Sequence, residues 1–373
     1  MKVLTIGGGT QDVYLRYEGA DTMLISHKHI EQSYMIFKSD TKIEVEELCY
    51  FTGGGSTNSA VSFQRLGFQA TCFCKVGNDN PGAAISANLA AEGVQTECIV
   101  TTNNHPSGQS FVLNSLKGER TIFAFRGANG HLTTSEIPLT CLAESAFVYI
   151  TSLSHDSALI LPDIVKLCKE RSIPVAINPG TSQLTKGTAT LKDSLPFIDT
   201  FILNSAEARI FMTALIETDS YYERALECLE GDVLCSPDLL DRMPNLLRGP
   251  IPHENIFLNI RSFFKEILSL GTKTVVVTDG KYGVYVAHGD TIYFYPSIKT
   301  EVVDTLGAGD SFGSCFVGCR LQGDSIPDAL RYGIVNSSSV ISHFGAKPGL
   351  LTKAELQKQA KKAPLDRLQT FKL

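Results

Sequence analysis

Apolar and polar positions divide the 373-residue chain into two kinds of stretch. From Ala146 onward, short β-branched runs alternate with segments of helical spacing: strand 146–150, helix 157–170, strand 174–177, a helical stretch ending before Pro196, strand 200–203, a helix from Ala206, and strand 274–278. Strands that are apolar along their whole length belong in a parallel sheet covered on both faces. Elsewhere the period is different. Residues 13–50 favour short strands at Met23–Ser26, Met35–Phe37 and Thr41–Val45. Residues 107–126 place SFVLN and RTIFAF around Lys117-Gly118, the pattern of a hairpin. Two strand-rich segments interrupting an α/β chain predict a small sheet standing off the main body as a lid. The chain opens with a strand, Lys2–Ile6, that enters a glycine turn at 7–10. After the lid's first segment, Gly53-Gly54-Gly55 leads into a helix with Ala60, Phe63 and Leu66 on one face.

The expected fold is therefore α/β, a three-layer arrangement with a mostly parallel central sheet flanked by helices and a small β lid. Residues 1–373 are read as one domain. The interval 221–268, with four prolines and scattered Leu, reads as an inserted excursion outside the core.

Composition narrows the function classes. Hydrophobic residues make up 43% and charged residues 19%, which fits a folded globular chain, and the net charge of −6 disfavours binding to nucleic acid by phosphate neutralisation. No apolar run approaches the ~20 residues of a membrane span, and the N-terminus lacks a signal pattern. The ten cysteines are spread singly, without a repeated CxxC pair, and read as buried thiols in a reducing, cytoplasmic setting.

The densest candidate chemistry lies in Asp304–Gly323, DTLGAGDSFGSCFVGCRLQG. Gly307 and Gly309 allow a tight turn, and Phe312, Cys315, Phe316 and Cys319 mark the apolar stripe of the helix that follows. The first-turn N–H groups of that helix would face an anion above the glycines. Asp310 stands at the same spot, where a carboxylate is costly unless chemistry needs it. A well-capped helix is the competing reading of these four residues. Asn58, just after the triple glycine, offers a donor and an acceptor to a hydroxylated ligand. Asn178, Asn204, Glu207, Thr278 and Asp279 sit at strand carboxyl ends, where open α/β sheets bind ligands. Gly7–Asp12 lacks the GxGxxG spacing and the following helix of a dinucleotide site.

Taken in order, these motifs resemble the ribokinase-like, or PfkB, family of carbohydrate and nucleoside kinases over nearly the whole chain. The carriers are Asp12, Gly53 and Gly54 with Asn58, the VGND turn at 76–79, the GAN at 127–129, the NSAE at 204–207, TDGKYG at 278–283 and DTLGAGD at 304–310. The resemblance implies ATP-dependent phosphoryl transfer to a hydroxyl. Asp310 would be the general base, and Gly307, Ala308 and Gly309 would form the anion hole. It implies acceptor binding by Asp12, Gly53, Gly54, Asn58 and Asn129. Nucleotide binding would fall to Asn204, Glu207, Thr278, Gly280, Gly283, Asn336 and Ser339. Glu207 and Asn204 would hold Mg²⁺ through water, and Asp304 would contribute to a K⁺ site. His343 reads as a packing or surface residue.

The expected acceptor is a free sugar or related polyol. A nucleoside kinase is the alternative, with Tyr34, Phe37 and Phe123 of the lid as a wall for the base, and a catalytically silent sugar-binding regulator is a third reading. Arg126 is the one candidate for gripping a phosphorylated acceptor. The lid's exposed strand edges predict a homodimer formed through the lid.

Overall fold

The computed structural model describes all residues except 18–20, 28–29, 115–119, 219–242, 250 and 254–255. A nine-stranded sheet forms its centre, in the order Gln369–Lys372, Thr291–Tyr295, Val284–His288, Thr274–Thr278, Thr200–Asn204, Val175–Ile177, Phe147–Ile150, Lys2–Ile6, Gln69–Phe73. The strands from 69–73 through 274–278 pair in parallel, and the remaining three add antiparallel along one edge.

Two buried clusters cover the two faces, and the alternation along single strands assigns residues to them. Leu4 and Ile6 point into one cluster and Val3 into the other; Phe201 and Leu203 oppose Ile202, and Val275 and Val277 oppose Val276. Both faces are apolar, so the strands read as continuous β-branched runs, and helices must cover each side. The helix Ala308–Leu321 packs close to the sheet because Gly313 leaves room for the Tyr149 hydroxyl, which a Cβ would approach to 2.4 Å.

The small sheet stands apart, with strands Arg120–Phe125, Gly108–Asn114, Thr10–Arg16 and Glu47–Gly53 in that order. Strands Gly108–Asn114 and Arg120–Phe125 pair antiparallel as the hairpin pattern predicts, and the Lys117-Gly118 turn lies outside the described residues. Asp21–His27 and Ile30–Ile36 form a separate hairpin.

Three expectations change. Thr41–Val45 is not a strand: among the described residues nothing pairs with it, and Ile43 and Val45 stay about two-fifths exposed, so its alternation has no face to bury. The interval 221–268 is not wholly an excursion. Part of it falls in 219–242, outside the described residues, but Ile260–Ser269 is an amphipathic helix capped by Asn259, whose side chain accepts from the N–H groups of Arg261 and Ser262. Its Ile260, Phe263, Phe264 and Ile267 join the core together with Leu246 and Leu247. The cysteines are also not all isolated from one another. The fold brings Cys98 and Cys141 side by side, with Cα atoms 7.4 Å apart, while Cys72, Cys74, Cys168, Cys315 and Cys319 are free and buried and Cys49 is free and half-buried. Among the described residues no helix is long and apolar enough to cross a membrane.

Candidate active site

Strand ends of the parallel sheet converge on three glycine-bearing turns. The strand Lys2–Ile6 runs into Gly7–Gly9, and the lid strand Glu47–Gly53 runs into Gly54 and the helix Gly55–Arg65. These two turns interlock at backbone distance. A Cβ on Gly54, at φ +94°, would lie 2.4 Å from the Gly8 carbonyl oxygen, and one on Gly53 would lie 2.0 Å from Asp12 Oδ2. Glycine at 53 is what lets Asp12 sit against the turn, and glycine at 54 lets the Gly8–Gly9 backbone close on it. Asn129 is buried, and its amide clamps Gly9 at both ends: Oδ1 accepts the Gly9 N–H at 2.9 Å and Nδ2 donates to the Gly9 oxygen at 2.8 Å. It shapes this loop and does not present its amide to an open pocket.

Asp12 lies on the lid face that looks toward the main body. Its Oδ1 accepts a short hydrogen bond from the Ser110 hydroxyl and a longer one from Thr10 Oγ1 at 3.3 Å. Burial pushes its carboxyl above the ordinary aspartate value, with the Ser110 bond and the Lys347 charge pulling the other way. Tyr14, two residues on and on the same face, donates through its hydroxyl to Asp304 Oδ2. Asp304 also accepts the N–H groups of Leu306 at 2.9 Å and Gly345 at 3.2 Å. Its carboxylate thus fastens the start of the 304–310 turn, and a role as cation ligand would have to be shared with these bonds.

Gly307 occupies the left-handed region at φ +75°, and a Cβ there would come within 2.4 Å of Ala346 Cβ. The helix starts immediately after it, with the Ser311 N–H bonding the Gly307 oxygen at 2.9 Å. The amides of Gly309 and Asp310 precede that first intrahelical bond and are among the groups a helix start leaves for a ligand. Gly309 is exposed, with open space where a side chain would stand. Asp310 is half-buried, and its Oδ2 accepts from Asn58 Nδ2 at 2.8 Å. Desolvation raises its pKa, Asp12 adds to the rise, and the Asn58 bond and Lys347 oppose it. The Asn58 Oδ1 on the other side of the same amide is buried without a partner.

A cavity of about 410 Å³ opens beside this turn, within the size range of small-molecule sites. Ala308, Gly309 and Phe312 form one wall, and Thr278, Gly280 and Gly283 another. Gly283, at φ +134°, has no room for a side chain, since a Cβ would meet the Tyr295 oxygen at 2.3 Å. The helix Ile326–Val340 and the residue after it contribute Ile334, Ser337, Ser338 and Ile341. Four residues expected at the nucleotide are absent from this lining: Asn204, Glu207, Asn336 and Ser339. Asn336 points the opposite way and is fully buried: its Nδ2 donates to the Ser311 oxygen and its Oδ1 accepts the Leu351 N–H, both at 2.9 Å. The reason is helical phase, because residue 336 lies about 200° round the helix from 334. Ser339 lines a neighbouring cavity of about 430 Å³ with Lys299, His343 and Arg367. His343 is exposed, as expected of a surface residue.

Asn204 and Glu207 form a reciprocal cap at the start of the helix Ser205–Thr218. The Asn204 N–H donates to Glu207 Oε2 and the Glu207 N–H donates to Asn204 Oδ1, both at 2.8 Å. Burial raises the Glu207 carboxyl above its usual range, and the charge of Asp310 contributes. A divalent cation beside Glu207 would relieve the repulsion from Asp310, and the oxygens of Asn204 and Glu207 are donors suited to Mg²⁺ held through water.

Sequence reasoning missed Ser110 and Lys347. Ser110 becomes a partner of Asp12 only through lid pairing, which sets the two directly opposite. Lys347 is a lone lysine in an apolar run, GAKPGLL, and that oddity was the available signal.

Comparison with known proteins places these features in context. A family model described as pfkB family carbohydrate kinase matches residues 21–231 and 259–353. The chain is 26% identical over 306 residues to a ribokinase of Bacillus subtilis, covering 82% of this chain and 86% of the relative. It is 25% identical over 318 residues to a 5-dehydro-2-deoxygluconokinase of Bacillus licheniformis, with coverage of 82% and 86%. Among solved structures, Arabidopsis thaliana ribokinase complexed with ribose and ATP superposes with a TM-score of 0.72 at 21% identity, over 96% of this chain and 98% of that one. A Burkholderia thailandensis nucleoside kinase in complex with inosine gives 0.67 at 16%, over 97% and 98%. At those identities the structural likeness establishes the fold.

The geometry around Asp310 makes a prediction that needs no substrate. In a carboxyl NMR titration of the ligand-free protein, Asp310 should ionise above the ordinary aspartate range. Asn58→Ala should move it higher still, because the hydrogen bond it removes favours the carboxylate. An ordinary aspartate titration in both proteins would contradict the environment described.

Proposed function

Because the chain belongs to the pfkB family of carbohydrate kinases, we propose that it transfers the terminal phosphoryl group of ATP to a hydroxyl of a small, uncharged sugar or related polyol. The observation that carries this reading is the 2.8 Å bond between Asn58 and Asp310. It joins the acceptor turn to the phosphate turn and puts one carboxylate between the nucleotide cavity and the polar set on the lid.

In this reading the nucleotide lies in the 410 Å³ cavity between the 278–283 loop and the helix Ile326–Val340, with its phosphates over the 307–309 backbone. Phosphoryl transfer asks the protein mainly for alignment and charge stabilisation. The N–H groups at Gly307, Ala308 and Gly309 would serve as the anion hole, aimed by a turn that Gly307 and Ala346 hold rigid. Asp310 would accept the proton of the attacking hydroxyl, and Asn58 would keep its carboxylate facing that oxygen. Magnesium bound with ATP would supply charge neutralisation, held by Glu207 and Asn204 through water. Asp304 is assigned to positioning the turn, and no step is assigned to a potassium ion.

Asp12, the Gly53-Gly54 backbone and Asn58 would read the acceptor's other hydroxyls, with Ser110 orienting Asp12 and Asn129 shaping the loop beneath. Of the two buried lysines among the described residues Lys75 is paired with Glu136, so the acceptor region sets the carboxylates Asp12 and Asp310 against the ammonium of Lys347, and Arg126 is exposed. That balance disfavours an acidic or phosphorylated acceptor. It also does not favour a nucleoside: Phe123 lies on the lid face opposite Asp12, and Phe37 packs against Tyr17 with ring centroids 6.1 Å apart.

The apolar surface of the lid supports a homodimer, through the face of the sheet more than its edges. Pairing aligns Tyr50, Val13, Phe111 and Phe123 in one row, and Leu48 and Phe125 extend the same face. Tyr50 is 60% and Phe123 56% exposed. A second copy offering the same row would cover this patch in a two-fold arrangement.

Two experiments test these readings. With Mg·ATP and a panel of sugars and nucleosides, a neutral sugar or polyol should stimulate ADP release. Asp310→Asn should lose at least ~10²-fold in kcat while still binding acceptor in calorimetry. Turnover unchanged in Asp310→Asn, or tight acceptor binding without turnover in the parent, would refute the assignment. By sedimentation at micromolar concentration the parent should be a dimer and Tyr50→Glu/Phe123→Glu a folded monomer; a monomeric parent would exclude the lid interface.

A further inference from the structure

Lys347 is 5% exposed, yet no carboxylate among the described residues lies within ion-pair distance of it. A buried ammonium without a paired anion is costly, and isolated lysines are seldom kept inside without a use. Its hydrogen bonds show where it acts. Nζ donates to the Thr52 oxygen at 2.9 Å and to Thr52 Oγ1 at 2.8 Å, and Thr52 Oγ1 in turn donates to Asn88 Oδ1 at 2.7 Å. Thr52 is the residue at which the lid strand Glu47–Gly53 turns into the glycines of the acceptor site.

The short segment that carries this lysine is anchored on the other side as well. The Gly345 N–H bonds Asp304, and Ala346 packs against Gly307. The Lys347 oxygen accepts from Arg65, whose guanidinium also bonds the Leu350 oxygen and pairs with Glu92 at 2.6 Å. Three consecutive residues thus touch the start of the catalytic turn, its left-handed glycine and the hinge of the lid. The groups whose fields reach the ammonium are Asp12 from the lid, Cys72 and Cys74 from the edge of the main sheet and Glu92 from the following helix; Asp310 in turn feels the lysine's charge. Desolvation pushes Lys347 down to about 8, and these neighbours resist that fall.

We propose that Lys347 is a positioning residue of the phosphoryl-transfer reaction: it fixes the Thr52–Gly54 turn against the Asp304–Asp310 turn and supplies the internal counter-charge for Asp12 and Asp310. The inference rests on the kinase reading but assigns a role to a residue outside the motifs that carry it. The two parts of the role separate chemically. The hydrogen bonds to Thr52 set the acceptor turn and so act on acceptor affinity. The charge lowers the carboxyl of Asp310, so losing it moves the acid limb of the rate profile to higher pH, because more of the base is protonated at a given pH.

The test compares Lys347→Met, Lys347→Gln and Thr52→Val with the parent enzyme, using the best acceptor from the panel. Lys347→Met should raise acceptor KM by at least ~10-fold, leave ATP KM within ~2-fold, and shift the acid limb of kcat/KM upward. Lys347→Gln keeps a donor for Thr52 and should recover acceptor KM in part while retaining the pH shift. Thr52→Val should raise acceptor KM without moving the acid limb, and it reports on the hydrogen bonds if the lysine variants do not fold. Unchanged acceptor KM and pH profile in Lys347→Met, or unchanged acceptor KM in Thr52→Val, would overturn the proposal. An inactive parent across the panel would instead refute the kinase reading.

Discussion

In the proposed site the turn at 304–310 holds a carboxylate next to the backbone amides assigned to a phosphate, and two like charges cannot be brought together there without help. Burial already raises Asp310, and Asp12 and Glu207 stand in the same field. What offsets this is a set of fixed donors and one fixed cation: the Asn58 amide on Asp310, the Ser110 hydroxyl on Asp12, the Asn204 N–H on Glu207, and the Lys347 ammonium behind the acceptor turn. Each arrives from a different part of the chain. The site's electrostatics are therefore a consequence of tertiary packing, and preorganised dipoles of this kind cost little rearrangement when charge moves.

Glycine is the means by which these parts approach. Gly53, Gly54 and Gly307 each occupy a place where a methyl group would strike a neighbouring atom, and Gly54 and Gly307 also adopt backbone angles that other residues disfavour. The three turns are packed against one another as backbone, and the result is a rigid floor. Above it, Asp12 and Ser110 ride on the lid, so in the proposed site lid position and acceptor recognition would be one variable. Thr52, where the lid joins that floor, accepts the Lys347 hydrogen bonds and is the point through which that lysine would act on both.

Much of this architecture was legible in the sequence, for identifiable physical reasons. The two periods of hydrophobicity separated the parallel sheet from the lid, because strands buried on both faces lack alternation while lid strands have one face on solvent. The glycine and carboxylate of the 304–310 turn were visible because local geometry imposes them. Side-chain direction was less legible. Asn336 adjoins the cavity-lining Ser337 and faces away; Asn129 directs its hydrogen bonds at the Gly9 backbone, and Asp304 is taken up by the Tyr14 hydroxyl and two backbone N–H groups. The Asn204/Glu207 spacing encoded a reciprocal helix cap, whose oxygens are the ones the resemblance had assigned to Mg²⁺. Thr41–Val45 alternates without a partner strand, and Ile260–Ser269 hid its amphipathic face behind a proline-rich approach. Lys347 shows the limit most plainly, since nothing local in GAKP tells that its ammonium reaches a residue some 300 positions earlier.

Asp310 and the 307–309 backbone are proposed to be the two halves of one phosphoryl-transfer site. A crystal structure with a non-hydrolysable ATP analogue, Mg²⁺ and the preferred acceptor addresses it directly. Terminal phosphate oxygens are expected within ~3.2 Å of the 307–309 amides, with an acceptor hydroxyl hydrogen-bonded to Asp310 and in line with the phosphorus. Phosphates bound away from that turn, or an acceptor with no hydroxyl near Asp310, would contradict it.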